Sequence, residues 1–177
     1  MASVFTHPAP ALALAVAFGP NVISTRLAVA AVLVSLLPDL DVVGFKFGIR
    51  YAEVLGHRGL SHSLLFALGV SLFGALMAPL LKSKGRTVFL VFFTAILSHI
   101  LLDAMTTGGL GVAFFWPLDE TRHFLSWRPI TVSPFSPRAF LSERGLAVII
   151  SELKWVWAPC AAFALFGYAV RRAQPGK

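Results

Sequence analysis

Four long runs of this sequence carry no formal charge: Met1 to Thr25, Gly59 to Leu81, Thr87 to Leu102 and Trp155 to Val170. A helix needs about 20 mostly apolar residues to cross the hydrocarbon core of a bilayer. About 17 suffice when flanking polar residues reach for the interface. With 57% hydrophobic and only 13% charged residues, the chain is far from the balance of a soluble domain. The expected fold is therefore all-α, an integral membrane helical bundle. It has about four to five transmembrane or membrane-embedded helices in one domain over residues 1–177. The first run has no preceding Lys or Arg and no clear small-residue cleavage site, so it reads as part of the bundle and not as a signal peptide. The lone Cys160 has no partner for an internal disulfide and reads as a small core residue.

Punctuation divides the runs. Ala9 to Phe18 and Val22 to Leu37 form a helical hairpin about the turn "GPN", and Pro38 stops the second arm. After a polar connector, Ser61 is the expected N-cap of a helix from His62 to Leu81. "KSKGR" is a tight basic loop. The next helix runs from Thr87 to about Met105 and ends at "TTGG". Residues 108 to about 144 form a long loop rich in Pro, Trp and Arg, a length that usually serves function. A last helix covers about Leu146 to Val170.

The chain reverses between successive helices, so the unusual polar residues fall at one end. His7 precedes the first arm, and Asp39 and Asp41 follow the second. His57 and His62 open the third helix, His99 and Asp103 close the fourth, and Glu152 lies near the start of the last. His99 and Asp103, four residues apart, share a helical face. Asp39 and Asp41, in extended chain, point the same way. Imidazoles and carboxylates suit zinc, manganese or iron. Eight candidates are too many for one tetrahedral ion and suit a two-metal site; the cofactor expected is divalent metal, one or two ions, zinc foremost.

Each residue also has a plainer role. His7 alone could be a hydrogen-bonded core histidine, Asp39 and Asp41 solvated turn residues, and Glu152 an interfacial charge. His123 sits in a polar loop segment and is left out. Asp103 resists dismissal, because an Asp deep in a membrane costs about 2.5–3.5 kcal/mol on insertion scales. Co-location at one end favours metal binding over separate explanations.

"LLPDLDVV", "HRGLSHSLL" and "LSHILLDAMTTGGLGVAFFWPL", with "WRPITVSP" and "SELKWVW", resemble the hallmark motifs of the membrane-bound metal-dependent hydrolase family (YdjM-like, with LexA-regulated members) over nearly the whole chain. The resemblance implies a multi-pass inner-membrane protein and a metal-dependent hydrolase, without naming a substrate. Asp39 and Asp41 match its PDxD carboxylates; His57, Arg58 and His62 match HRGxxH; His99 and Asp103 match HxxxD. The ligand order is also similar to that of zinc phospholipases C and P1-type nucleases, an analogy at the level of fold.

The function expected is hydrolysis of a phosphoester or lipid-linked substrate by metal-activated water. Asp103 or Asp41 would bridge metals or orient that water, and Glu152 would serve as a further ligand or as general base. Arg58, Arg128 and Arg138 would meet phosphate oxygens, although Arg128 and Arg138 could equally snorkel to headgroups. Trp116 and Trp127 suit an interfacial belt. The partners expected are membrane lipid and an amphiphilic or phosphate-bearing substrate. The net charge of +7 accompanies no nucleic-acid motif, and basic residues beside apolar runs suit anionic headgroups. Two rivals are an ion- or proton-translocating protein and a non-catalytic scaffold stapled by metal. Arg26, Lys82, Lys84, Arg86, Arg171, Arg172 and Lys177 crowd short turns and a tail away from the site. Their density favours that end as cytoplasmic, so the site is expected to face outward.

Overall fold

The computed structural model describes residues 1–174 and is helical, with no strand among those residues. Lys177 lies outside them. In order come α1 (Ala9–Phe18), α2 (Thr25–Leu36) with a 3-10 continuation over Leu37–Phe47, a 3-10 turn at Leu60–His62, α3 (Leu64–Leu76) and α4 (Gly85–Ala104). The short α5 (Pro137–Phe140) follows, then α6 (Glu143–Glu152), a π-helical turn (Leu153–Trp157) and α7 (Ala158–Arg172). Thr25–Phe47, Gly85–Ala104 and Glu143–Arg172 are long and apolar enough to cross a membrane, and α1 and α3 are shorter apolar helices.

Four local expectations need correction. Pro38 does not stop the second arm. It sits in the first turn of the 3-10 segment, where a missing N–H costs nothing. Asp39 and Asp41 are therefore helical and not on alternate positions of an extended chain. Ser63, and not Ser61, caps α3 by accepting from Phe66 N, and Ser61 turns to Asp41 instead. The last span starts earlier, at Glu143, and carries a π turn straight after Glu152.

Helix α4 is the axis, packed against α1, α2 and α3, while α7 lies along α1. Small residues permit these approaches: a Cβ at Gly74 would collide with the Phe92 ring, and one at Gly167 with Ala17. Leu27, Ala31, Val88, Val91 and Ala95 fill the core between α2 and α4. Ala67, Ile96, Ile100 and Ala104 fill that between α3 and α4. Leu33, Leu72, Phe73, Leu76, Leu165 and Phe166 stay exposed, as outward faces of lipid-immersed helices do. The long loop is pinned back by bridges of Thr106 with Ile130 and Val112 with His123.

Candidate metal centre

Six side chains from four segments meet at one end of the bundle. His7 lies just before α1, and Asp39 is in the 3-10 continuation of α2. His57 and His62 sit in the connector before α3, and His99 and Asp103 one turn apart on α4. Donor atoms of His7, Asp39, His99 and Asp103 lie within 4.8 Å of one another, as do those of Asp39, His57 and His62. Asp39 belongs to both groups, so two adjacent cation positions would share it. His7 Nε2 is 3.6 Å from Asp39 Oδ2 and 3.6 Å from Asp103 Oδ1. Asp39 Oδ1 is 3.5 Å from His99 Nε2 and 3.7 Å from His62 Nε2. Ligands about 2.0–2.1 Å from a tetrahedral ion stand about 3.3–3.4 Å apart, which is close to this spacing.

The hydrogen bonds show how these atoms could hold a cation. His99 Nδ1 is 2.7 Å from the Ser35 carbonyl, which can only accept, so Nδ1 carries the proton and Nε2 presents a lone pair. His62 Nδ1 faces Ser61 Oγ at 3.0 Å and Asp41 Oδ2 at 3.2 Å. Its Nε2 then points at His99 Nε2, 3.1 Å away, and at Asp103 Oδ2, 3.4 Å away. With the His62 proton on Nδ1, two lone pairs and two carboxylates face one another, an arrangement that a positive charge between them would satisfy. Both Asp39 oxygens and both His7 nitrogens are buried without a hydrogen-bond partner, as is His57 Nε2. Orphaned acceptors in a buried site cost about 1–3 kcal/mol each unless something fills the gap. The residues present thus fit a divalent ion, and the buried His/Asp groups could hold one.

The ionisation states agree. Burial pushes the His7 imidazole down to about 3, leaving it neutral, the form that ligates metals. Burial also lowers His57, against the pull of Asp41. Burial alone would lower His62 as well, but the carboxylates of Asp103, Asp39 and Asp41 outweigh it and hold His62 up to about 10. Without metal, a proton on His62 supplies the positive charge that the cluster demands.

The remaining expected residues take supporting places. Asp41 accepts from His57 Nδ1 (2.7 Å), Arg58 N (3.1 Å), Ser61 Oγ (2.6 Å) and His62 Nδ1, so it orients two histidines in the manner of an outer carboxylate. Arg58 is fully buried in a left-handed conformation, φ 65°. Its Nε donates to Asp103 Oδ2 (2.9 Å), Nη1 to Gly108 O (3.0 Å) and Nη2 to Thr106 Oγ1 (3.0 Å). These bonds engage all three guanidinium nitrogens and hold Asp103. Asp103 Oδ1 also accepts from Ala2 N at 2.7 Å. Glu152 stands apart from the two ligand groups. Its carboxylate accepts from Ser3 N, from Ser3 Oγ (2.6 Å) and from Thr6 Oγ1 (2.9 Å), tying down the segment that carries His7. Arg128 stacks on Phe124, 4.6 Å from the ring centre, and Arg138 is exposed on α5.

Arg122 is the residue that sequence reasoning missed. It donates to the carbonyls of His57 (2.6 Å), Tyr51 (3.0 Å) and Glu53 (2.9 Å), clamping the histidine connector from the long loop. No spacing rule singles out one arginine in a polar loop; only the contact reveals it.

The model of the YdjM inner membrane protein family matches residues 1–175. The chain belongs to that family. Inner membrane protein YbcI of Escherichia coli (strain K12) is 43% identical over 160 residues, covering 90% of this chain and 92% of the relative. No solved structure matches the chain. The family and the apolar helices together make this a membrane protein, and the candidate metal centre lies at one end of its bundle.

Proposed function

We propose that this family member is a membrane-embedded hydrolase that uses one or two divalent ions, zinc foremost, to cleave a phosphoester, lipid-linked substrates included. The observation that carries the reading is the set of mutually facing acceptors: His99 Nε2 against His62 Nε2 at 3.1 Å, with the unpartnered Asp39 carboxylate and His7 beside them. A bound ion supplies Lewis acidity and lowers the pKa of neighbouring water towards neutrality. The chain's own residues do the rest. Asp39, shared by both groups, and Asp103 supply negative charge. Arg58 fixes Asp103, and Asp41 fixes the rings of His57 and His62. Glu152 holds the His7 segment and so acts as a positioning residue, not as ligand or base. Arg138, exposed on α5, and Arg128, stacked on Phe124, are the candidates to meet a phosphate. The density of basic residues in the short turns at the opposite end supports an outward-facing site, and an external reporter fused at Lys84 would overturn that orientation.

A second reading has its own observation. All four clustered histidines and Asp103 are fully buried and Asp39 is 7% exposed, which suits an ion that only staples helices. Purified protein assayed for metal and for hydrolysis of a generic phosphodiester separates the two. The hydrolase reading expects both properties, and expects His99→Ala to lose both. Full metal content without hydrolysis of soluble or lipid phosphodiesters favours the staple.

A further inference from the structure

All eight acidic residues of the chain, Asp39, Asp41, Glu53, Asp103, Asp119, Glu120, Glu143 and Glu152, belong to the metal-bearing end or its connectors. The opposite end brings together the turn after α1, the start of α2 and the loop between α3 and α4. Ser83 Oγ meets Ser24 Oγ at 3.2 Å there, and Arg26 Nη1 donates to Leu80 O at 3.2 Å. Its charges are Arg26, Lys82, Lys84 and Arg86, with Arg171 and Arg172 from α7, and no acid offsets them. A cavity of about 570 Å3 opens at this junction, lined by Asn21, Ser24, Lys82, Ser83, Lys84 and Thr87. Two ammonium groups and the Thr87 hydroxyl suit phosphate oxygens, while Ser24 and Ser83 are bonded to Leu81 O and to each other. Directly beyond it, Thr25, Arg26, Val29, Ala30 and Leu33 line an apolar groove along the outer face of α2. Val29 and Leu33 are 56% and 63% exposed.

We infer that this end binds an anionic phospholipid, with the headgroup phosphate in the Lys82–Lys84 cavity and an acyl chain along Val29 and Leu33. The polar cavity alone would serve any phosphate; the apolar groove that begins at Thr25, next in the chain to Ser24 of the cavity, selects a lipid. This site is separate from the metal centre and does not depend on the hydrolase reading.

The test uses the full-length protein in a neutral detergent, with bound lipid counted by native mass spectrometry. Phosphatidylglycerol is titrated against phosphatidylcholine, and inorganic phosphate is added in a parallel arm. Wild type is expected to retain phosphatidylglycerol roughly tenfold better than phosphatidylcholine. Lys82→Gln with Lys84→Gln is expected to erase that preference with metal content and unfolding temperature unchanged, and Lys82→Arg with Lys84→Arg to keep it. Equal retention of the two lipids by wild type, or an unchanged preference in the glutamine variant, overturns the inference. Displacement of phosphatidylglycerol by equimolar inorganic phosphate overturns the lipid assignment in favour of a free phosphate site.

Discussion

The two ends of this bundle handle polarity in opposite ways. At the end with the candidate metal centre, charge is buried and cross-linked: Arg58 on Asp103, Asp41 on two histidines, Glu152 on Ser3 and Thr6. At the other end, the charges are of one sign and exposed at Lys82, Lys84 and Arg86, above a core of Leu27, Ala31, Val88 and Ala95. Buried ionisable groups survive among apolar helices only where opposite charge and hydrogen bonds meet each of them. Exposed ones of like sign need only water or headgroups. The metal end is therefore expected to be brittle towards substitution and the basic end tolerant.

The largest effect is expected at Asp39, whose oxygens find no hydrogen bond within the protein. Asp39→Ala should reduce metal content below about a tenth of wild type and abolish any hydrolysis, since both ligand groups use it. Next comes Arg58→Met, which strips Asp103 of its guanidinium. It should cost about 3–5 kcal/mol of stability, read by unfolding in detergent. A silent Arg58→Met would show that the buried end is not held by this pair. Glu152→Gln should be milder, about 1–3 kcal/mol, because the amide nitrogen then faces the donors Ser3 and Thr6. Metal affinity should fall with the loosened His7 segment, more weakly than for Asp39→Ala. Hydrolysis lost at full metal occupancy would instead return Glu152 to the role of base.

A pH titration sharpens the same contrast. In metal-free protein His62 is held up to about 10, so it is charged at neutral pH, whereas a ligand must be neutral. Metal binding should release a proton, and affinity should rise as pH climbs towards about 10, by about tenfold per unit for one displaced proton. A flat profile between pH 6 and 9 would remove His62 from the ligand set. The smallest effect is expected at the tolerant end, where Lys84→Gln should leave metal content unchanged.

Much of this was legible in the sequence because hydropathy and parity are long-range signals. Uncharged runs mark the helices, and chain reversal sends His7, Asp39, His57, His62, His99 and Asp103 to one end. The sequence could not separate Asp39 from Asp41. Their environments differ through the 3-10 path past Pro38, and a proline reads equally well as a stop or as a first-turn residue. Nor could it show that Glu152 binds the N-terminal segment, since that contact spans 149 residues to Ser3. Arg58 looked like a phosphate ligand for a related reason. An arginine beside two histidines suggests substrate until Thr106 and Gly108 are seen to occupy its donors.

The account places one or two divalent cations among His7, Asp39, His57, His62, His99 and Asp103. Elemental analysis of the purified protein, beside Asp39→Asn prepared identically, tests it most directly. About one or two divalent ions per wild-type chain, with almost none in Asp39→Asn, is the predicted result. A wild-type protein that stays metal-free after incubation with zinc, manganese or iron, or an Asp39→Asn protein with the same content as wild type, would contradict it.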